Sequence, residues 1–288
     1  MSRPDLPHPS DLPDLLETAR AAAAAGAEVA LHWRRHADAL EVQEKAAPDD
    51  LVSQADREAE AAVRAVLARR RPDDGVLGEE AGEQPGRSGV RWLVDPVDGT
   101  TNYLYGRPDW AVSVAASDRT GALLAAVVLE PAVGRATWAA AGSGTWADGR
   151  RVPPLAQVDL GRALVELNLG LPSQRPLAGK VLDALLPRVR DVRRGGSAAS
   201  ALAQVATGRA DAAWLPGLQP WDCAAGVLLV QEAGGTVGDL SGPTPGRVPS
   251  SGDVLGAPPA LWEPLRQVLH PVWAGGTGPG GLRSAAAS

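Results

Sequence analysis

Trp92-Leu93-Val94-Asp95-Pro96-Val97-Asp98-Gly99-Thr100-Thr101-Asn102 is the stretch on which the reading turns. Val90 to Val94 reads as a strand running into Asp95, whose carboxylate then projects from the sheet edge. Pro96 stiffens the turn, and Asp98 comes back on the same side about one turn later. Gly99 lets the backbone bend closely, and Thr100-Thr101-Asn102 opens a short helix. Two carboxylates three apart at a turn can share or bridge hard divalent cations. A helix start offers N–H groups and the positive end of a dipole, which suits a phosphate. Together these make an arrangement for phosphoryl transfer. A bare Asp-x-x-Asp is as readily a surface Asp-Gly turn.

Three further acidic segments weigh against that plainer reading. Gly78-Glu79-Glu80 follows a short strand at Val76-Leu77. Asp50 to Asp56 leads into a helix, with Ser53 and Asp56 at capping-box spacing. Trp221-Asp222 opens another helix. Each segment puts a carboxylate at the end of an element, where open sites are built. Carboxylates brought together without a partner repel and raise one another's pKa; bound cations remove that cost.

Outward from these segments, Leu12 to His36 has the apolar recurrence of a long helix, and a second helix ends at Arg69-Arg70-Arg71-Pro72. Trp110 to Ala116, Ala122 to Leu129, Arg135 to Ala139 and Gly144 to Trp146 read as strands of a largely antiparallel sheet, with Asp148-Gly149 in a hairpin turn. The second half alternates: strands at Ala163 to Leu167, Val192, Asp211 to Trp214 and Thr236 to Asp239, helices at Leu177 to Val189, Ser197 to Thr207, Asp222 to Ala233 and Pro258 to Leu269. The expected fold is an α/β (α+β) sandwich, two-layered, alternating helix and sheet. Residues 1–10 read as a flexible arm, 11–151 as an α+β metal-binding half, 152–272 as an α/β substrate-facing half and 273–288 as a disordered Gly/Ala/Ser tail.

Composition excludes several classes. The 288 residues carry 28 Lys and Arg against 34 Asp and Glu, a net charge of −6 that gives no basic footprint for nucleic acid. Ala122 to Leu129, the longest clean apolar run, is far shorter than the ~20 residues of a membrane span. The polar, Pro-rich start lacks a secretory h-region. The single cysteine, Cys223, excludes an intrachain disulfide and a thiolate metal cage. A reduced, cytoplasmic location is the expectation.

In this order and spacing, the four acidic segments, with Gly106-Arg107-Pro108, Gly196-Ser197-Ala198-Ala199 and Glu232-Ala233-Gly234-Gly235, resemble the inositol monophosphatase family, of the lithium-sensitive, magnesium-dependent phosphatase group that includes fructose-1,6-bisphosphatase. The likeness spans about Leu12 to Leu269. It implies the sugar-phosphatase fold and two to three Mg²⁺ ions. Glu79, Asp95 and the Val97 carbonyl would hold the first ion, and Asp95, Asp98 and Asp222 the second. A third, weaker ion would sit at Glu79. Asp56 would pair with Thr100, and Thr100 with Glu79 would place the attacking water. Gly99 and Thr100 N–H groups would receive phosphate oxygens. Gly196, Ser197 and Ala198 would face a sugar or cyclitol, and a homodimer is implied.

The substrate end departs from the family pattern. Leu215 stands where inositol phosphatases carry a glutamate that contacts a substrate hydroxyl, so one polyol contact is missing. Lys45 falls where the family often has a lysine at the site mouth, or is a solvated loop residue. Arg193 and Arg194 line the same mouth or face solvent. Trp214 packs in the core or flanks a nucleobase-like face. The expected substrate is a small phosphomonoester, myo-inositol 1-phosphate first, with another cyclitol or sugar phosphate, histidinol phosphate or a nucleoside phosphate as alternatives. A non-catalytic regulatory or binding relative is the other class; it should have lost its metal carboxylates, and here all are present. Cys223 and the four histidines fall outside the catalytic scheme.

Overall fold

The structure is a computed structural model that describes residues 11–36, 42–44, 51–170 and 172–273. Its elements are α1 (Leu12–Arg35), β1 (Val42–Glu44), β2 (Leu51–Ser53), α2 (Gln54–Arg70), β3 (Gly75–Gly78), β4 (Gly82–Gln84), β5 (Val90–Asp98), α3 (Thr100–Leu104), β6 (Ala111–Asp118), β7 (Leu123–Glu130), β8 (Arg135–Ala140), β9 (Thr145–Ala147) and β10 (Arg150–Arg151). There follow β11 (Leu164–Leu167), α4 (Arg175–Leu185), β12 (Asp191–Arg193), α5 (Ala198–Ala206), β13 (Ala212–Leu215), α6 (Pro220–Glu232), β14 (Thr236–Asp239), β15 (Gly242–Pro243), β16 (Val254–Ala257) and α7 (Pro259–Trp273). The arm at residues 1–10, Lys45 and residues 274–288 of the tail lie outside the described residues.

Two sheets form the frame. An eight-stranded sheet runs β10-β9-β8-β7-β6-β5-β3-β4, antiparallel except where β3 lies parallel to β5. A six-stranded sheet runs β12-β11-β13-β16-β14-β15, with β12, β11 and β13 parallel and the rest antiparallel. Strand β6 shows why each sheet is covered twice. Val112, Val114 and Ala116 pack against α1 and α2, while Ala111 and Ala115 pack against the layer of α5 and α6. Both faces of the strand are apolar, so both need cover. Likewise Ala213 and Leu215 of β13 face α5 and α6, while Ala212 and Trp214 face α4 and α7.

The two-layered expectation is therefore corrected. The order is α1/α2, eight-stranded sheet, α5/α6, six-stranded sheet, α4/α7. Helix α6 carries the physical reason: Cys223 to Val230 is buried without interruption, and a helix apolar all round belongs between two sheets. The α1/α2 layer is built differently. Leu15, Ala19, Ala22, Ala23, Ala27 and Ala30 form a buried stripe of mostly small residues.

Other expectations shift. Strand β5 does not stop at Asp95; it runs to Asp98. Asp95 pairs with Ser113 and Asp98 with Ala111, so β5 carries one extra residue there. Pro96 has no N–H to give the ladder. In a regular strand residues three apart face opposite sides, and the bulge brings both carboxylates to one side. Strand β16, a short apolar run between Asp253 and Pro258, lies inside the second sheet and was not anticipated. Helix α7 includes Trp273, placed in the tail by the sequence reading: its ring meets Trp214 edge-on at 5.5 Å, and its Nε1 donates to Asp253 at 2.8 Å.

Candidate active site

Strand ends and helix starts converge where β3, β5, α2, α5 and α6 meet. Carboxylate oxygens of Glu79, after β3, Asp95, in β5, and Asp222, in the first turn of α6, lie within 4.8 Å of one another. Asp95 is 2% exposed. Burial first, and then the charges of Glu79, Asp98, Asp222 and Asp56, push its carboxyl well above the usual range. Such a set is costly without a counter-charge. Its all-oxygen donors suit a hard divalent cation, so the residues present fit one.

Asp98 stands beside this trio, also buried. Ser197 Oγ donates to its Oδ2 at 2.5 Å, and the Ala199 N–H at 2.6 Å. Burial raises its pKa to about 6, against these hydrogen bonds, which lower it. Asp56 is 1% exposed and fixed as the capping partner of Ser53, whose N–H and Oγ both donate to Asp56 Oδ2 at 2.8 and 2.5 Å. Its other oxygen accepts from Thr100 Oγ1 at 3.2 Å, and Thr100 Oγ1 also lies 3.2 Å from the Val97 carbonyl. Asp222 accepts from the Gln219 N–H at 2.8 Å in its own capping box. Gly99 precedes α3 at φ 95°, a conformation that favours glycine.

The structure thus brings Asp56, Glu79, Asp95, Val97, Asp98, Gly99, Thr100 and Asp222 together, with Ser197 reaching in from the start of α5. The substrate-end residues are placed differently. Leu215 is 2% exposed and packs in the core with Leu218, Cys223 and Val254. Its side chain points into the α5/α6 layer. Arg193 donates to Asp191 at 2.6 Å and lines, with Asp109, Glu166, Ser200, Gln204 and Arg209, a cavity of about 230 Å³ that Ser197 also borders. Gly196, at φ 92°, and buried Ala198 flank Ser197. Trp214 is wholly buried, which settles it as core. Cys223 is buried, and desolvation, with Asp222 and Asp98 nearby, pushes its thiol pKa up; a thiolate nucleophile is disfavoured.

Three residues around the site hold it together in ways that the sequence does not show. Asn102 Nδ2 donates to the Asp109 and Gly195 carbonyls at 2.6 and 2.7 Å, joining the segment after α3 to the turn before Ser197. Ser113 Oγ donates to the Trp221 carbonyl at 3.1 Å, beside Asp222. Glu60, 1% exposed on α2, accepts from the backbone of the segment that carries Glu79. A glutamate four residues after Asp56, in register with Ala59 and Val63 of the buried face, is the signal that could have found it.

The sequence profile of the inositol monophosphatase family matches residues 11–274. An inositol-1-monophosphatase of Rhizobium meliloti is 41% identical over 228 residues, 77% of this chain and 84% of that protein. A Nus factor SuhB of Xylella fastidiosa is 42% identical over 207 residues, 70% of this chain and 74% of its own. Among solved structures, the extragenic suppressor protein suhB of Bartonella henselae superposes with a TM-score of 0.83 at 33% identity, covering 89% of this chain and 98% of that one.

Proposed function

The chain belongs to the inositol monophosphatase family, and from that premise we propose that it is a magnesium-dependent phosphomonoesterase acting on a small phosphorylated polyol, myo-inositol 1-phosphate first. The observation that carries this reading is the approach of Glu79, Asp95 and Asp222 within 4.8 Å, beside a Thr100 hydroxyl donated to Asp56. Glu79, Asp95 and the Val97 carbonyl would hold one ion, Asp95, Asp98 and Asp222 a second, and Glu79 a third. When bound, the ions supply charge neutralisation at the phosphoryl group and make a water acidic enough to react near neutral pH.

The chain's own residues place the reactants. Thr100 donates its hydroxyl hydrogen bond to Asp56, which leaves the hydroxyl oxygen to accept from the attacking water. Asp56 is locked by Ser53, so the pair has one orientation. Glu79 is the second acceptor for that water. The Gly99 and Thr100 N–H groups hold phosphate oxygens, and the Asp98–Ser197 bond ties that loop to α5. The water oxygen bonds to phosphorus as the ester P–O bond breaks. The attacking water gives up a proton to Glu79, the alcohol leaves with a proton from solvent, and inorganic phosphate remains. No covalent enzyme intermediate is required.

With a leucine at position 215, the polyol contact that the family's glutamate makes is missing. This widens the candidates to other cyclitol or sugar phosphates, histidinol phosphate and nucleoside phosphates. A homodimer and lithium sensitivity belong to the same proposal and rest on the family, and a cytoplasmic location rests on the single cysteine. Among the described residues no helix is long and apolar enough to cross a membrane, and the net charge of −6 argues against nucleic acid as a partner. The relatives named Nus factor SuhB support a second reading, a binding or regulatory protein of that kind. The complete carboxylate set favours the enzyme.

The test is phosphate release from a panel of phosphomonoesters with and without millimolar-scale Mg²⁺, beside an Asp95→Asn control. Mg²⁺-dependent release that the control lacks is the expected result. Reaction with only a phosphodiester or an anhydride would overturn the reading.

A further inference from the structure

We infer that Glu60 is a positioning residue for Glu79: its buried carboxylate fixes the turn from which Glu79 reaches the cation site, and so sets metal affinity. This rests on the function proposed above and assigns a role within it.

The geometry is closed on both sides of Glu79. Its own N–H donates to the Val94 carbonyl of β5 at 3.2 Å. The next N–H, of Glu80, donates to Glu60 Oε2 at 2.7 Å, and that of Ala81 to Glu60 Oε1 at 3.1 Å. The peptide planes before and after Glu79 are therefore both held, which leaves its backbone little freedom. Gly78 makes room for this: a Cβ there would collide with the Glu60 carboxylate itself. The buried charge is compensated by Arg64, whose Nε donates to Glu60 Oε1 at 2.7 Å while its Nη2 donates to the Gly82 carbonyl at 2.6 Å, beyond the same turn. A charge so buried persists only when paired and hydrogen-bonded, and Glu60 is both.

Glu60 also lies one helical turn from Asp56 on α2. Asp56 receives the Thr100 hydroxyl; Glu60 receives the turn that carries Glu79. The two groups proposed to place the attacking water are thus both referenced to one helix. Groups that orient metal ligands without touching the metal change affinity by about ten- to hundredfold when removed.

The test is isothermal titration of Mn²⁺ into the full-length wild type, Glu60→Gln, Arg64→Met and Val63→Ala, with thermal midpoints and phosphate release for each. In Glu60→Gln an amide faces two N–H donors with at most one acceptor. The expected result is Mn²⁺ binding weakened about ten- to hundredfold, a matching rise in the metal needed for half-maximal release, and a kcat at saturating metal within a few-fold of wild type. Val63→Ala, a cavity in the same helix, should lower the midpoint and leave Mn²⁺ affinity unchanged. Arg64→Met should fall between wild type and Glu60→Gln, and it decides the matter alone if Glu60→Gln does not fold. Wild-type affinity in Glu60→Gln, or in folded Arg64→Met, overturns the inference while leaving the proposed function intact. A wild type that binds no Mn²⁺ overturns both.

Discussion

Ser197 Oγ donates to Asp98 Oδ2 at 2.5 Å across 99 positions of sequence. The same oxygen accepts from the Ser200 N–H at 3.1 Å and so caps α5. One hydroxyl therefore starts a helix of the second half and holds a carboxylate of the first. Ser197→Ala removes both bonds and leaves a buried acceptor with one partner fewer. The expected loss is about 1–2 kcal/mol of stability by urea unfolding, with more Mg²⁺ needed for half-maximal phosphate release. Ser197→Thr, which keeps the hydroxyl, should recover most of both. Equal metal requirements in Ser197→Ala and wild type would show that the bond does not serve the site.

The buried carboxylates predict an unusual pH dependence for the metal-free protein. Asp98 is raised to about 6 and Asp95 is raised as well, both first by burial. Folded protein therefore holds these protons more tightly than the unfolded chain, whose carboxylates titrate near 4. The stability that Asp98 contributes is present at the lowest pH and is lost as pH rises through about 6, and that of Asp95 is lost as pH rises above the usual carboxylate range. In EDTA-treated protein these groups should lower the melting temperature between pH 5 and 7.5. Added Mg²⁺ should raise it more at 7.5 than at 5, since the ligands must be deprotonated to bind. An equal Mg²⁺ effect at both values would count against carboxylates as the binding groups.

What the residues disclosed in advance was mostly local. The Ser53–Asp56 spacing announces a capping box, and the structure has one. The Asp148-Gly149 dipeptide announces a hairpin, and Asp148 takes a positive φ of 48° between β9 and β10. What escaped was set by distant partners. Strand β16 is four residues with no alternation, because both of its faces are covered. The extent of β5 depends on β6 accepting an extra residue, which no local pattern reports. Trp214 and Leu215 are neighbours that face different layers, and only the sheet decides which layer each enters. Glu60 looks like an ordinary helix glutamate until the Glu80 and Ala81 amides are seen above it.

Gly99 tests the loop whose amides are proposed to receive the phosphate oxygens. Its φ is 95°, and a Cβ there would stand 3.1 Å from the Asp109 carbonyl and 3.3 Å from Ser197 Cβ. The left-handed conformation alone costs a residue with a Cβ about 1–2 kcal/mol, and the two contacts oblige the loop or α5 to move. Gly99→Ala should unfold at lower urea and lose kcat/KM by more than its loss of stability accounts for, because the loop that positions Thr100 shifts. A variant with reduced stability and full kcat/KM at saturating Mg²⁺ would mean that the loop tolerates the methyl group without moving Thr100.

Asp95→Asn separates stability from function most sharply. Asp95 is a strongly opposed charge: buried, and facing Glu79, Asp98, Asp222 and Asp56. The amide keeps an oxygen able to accept the Val97 N–H, which Asp95 Oδ1 accepts at 3.0 Å. It removes the charge that the other carboxylates repel. At pH 7.5 without metal the variant should be more stable than wild type, on the order of 1 kcal/mol, as removing a strained functional charge commonly gives. Mg²⁺ should then raise its melting temperature far less than it raises that of wild type. Phosphate release should fall by at least about a hundredfold, beyond what loss of an orienting residue alone produces. Calorimetry of both proteins with and without Mg²⁺ reads the stability differences, and the phosphate-release assay reads the loss of activity. A metal-free variant less stable than wild type would mean that Asp95 is held by interactions that outweigh the repulsion, and that the site tolerates its charges without a cation.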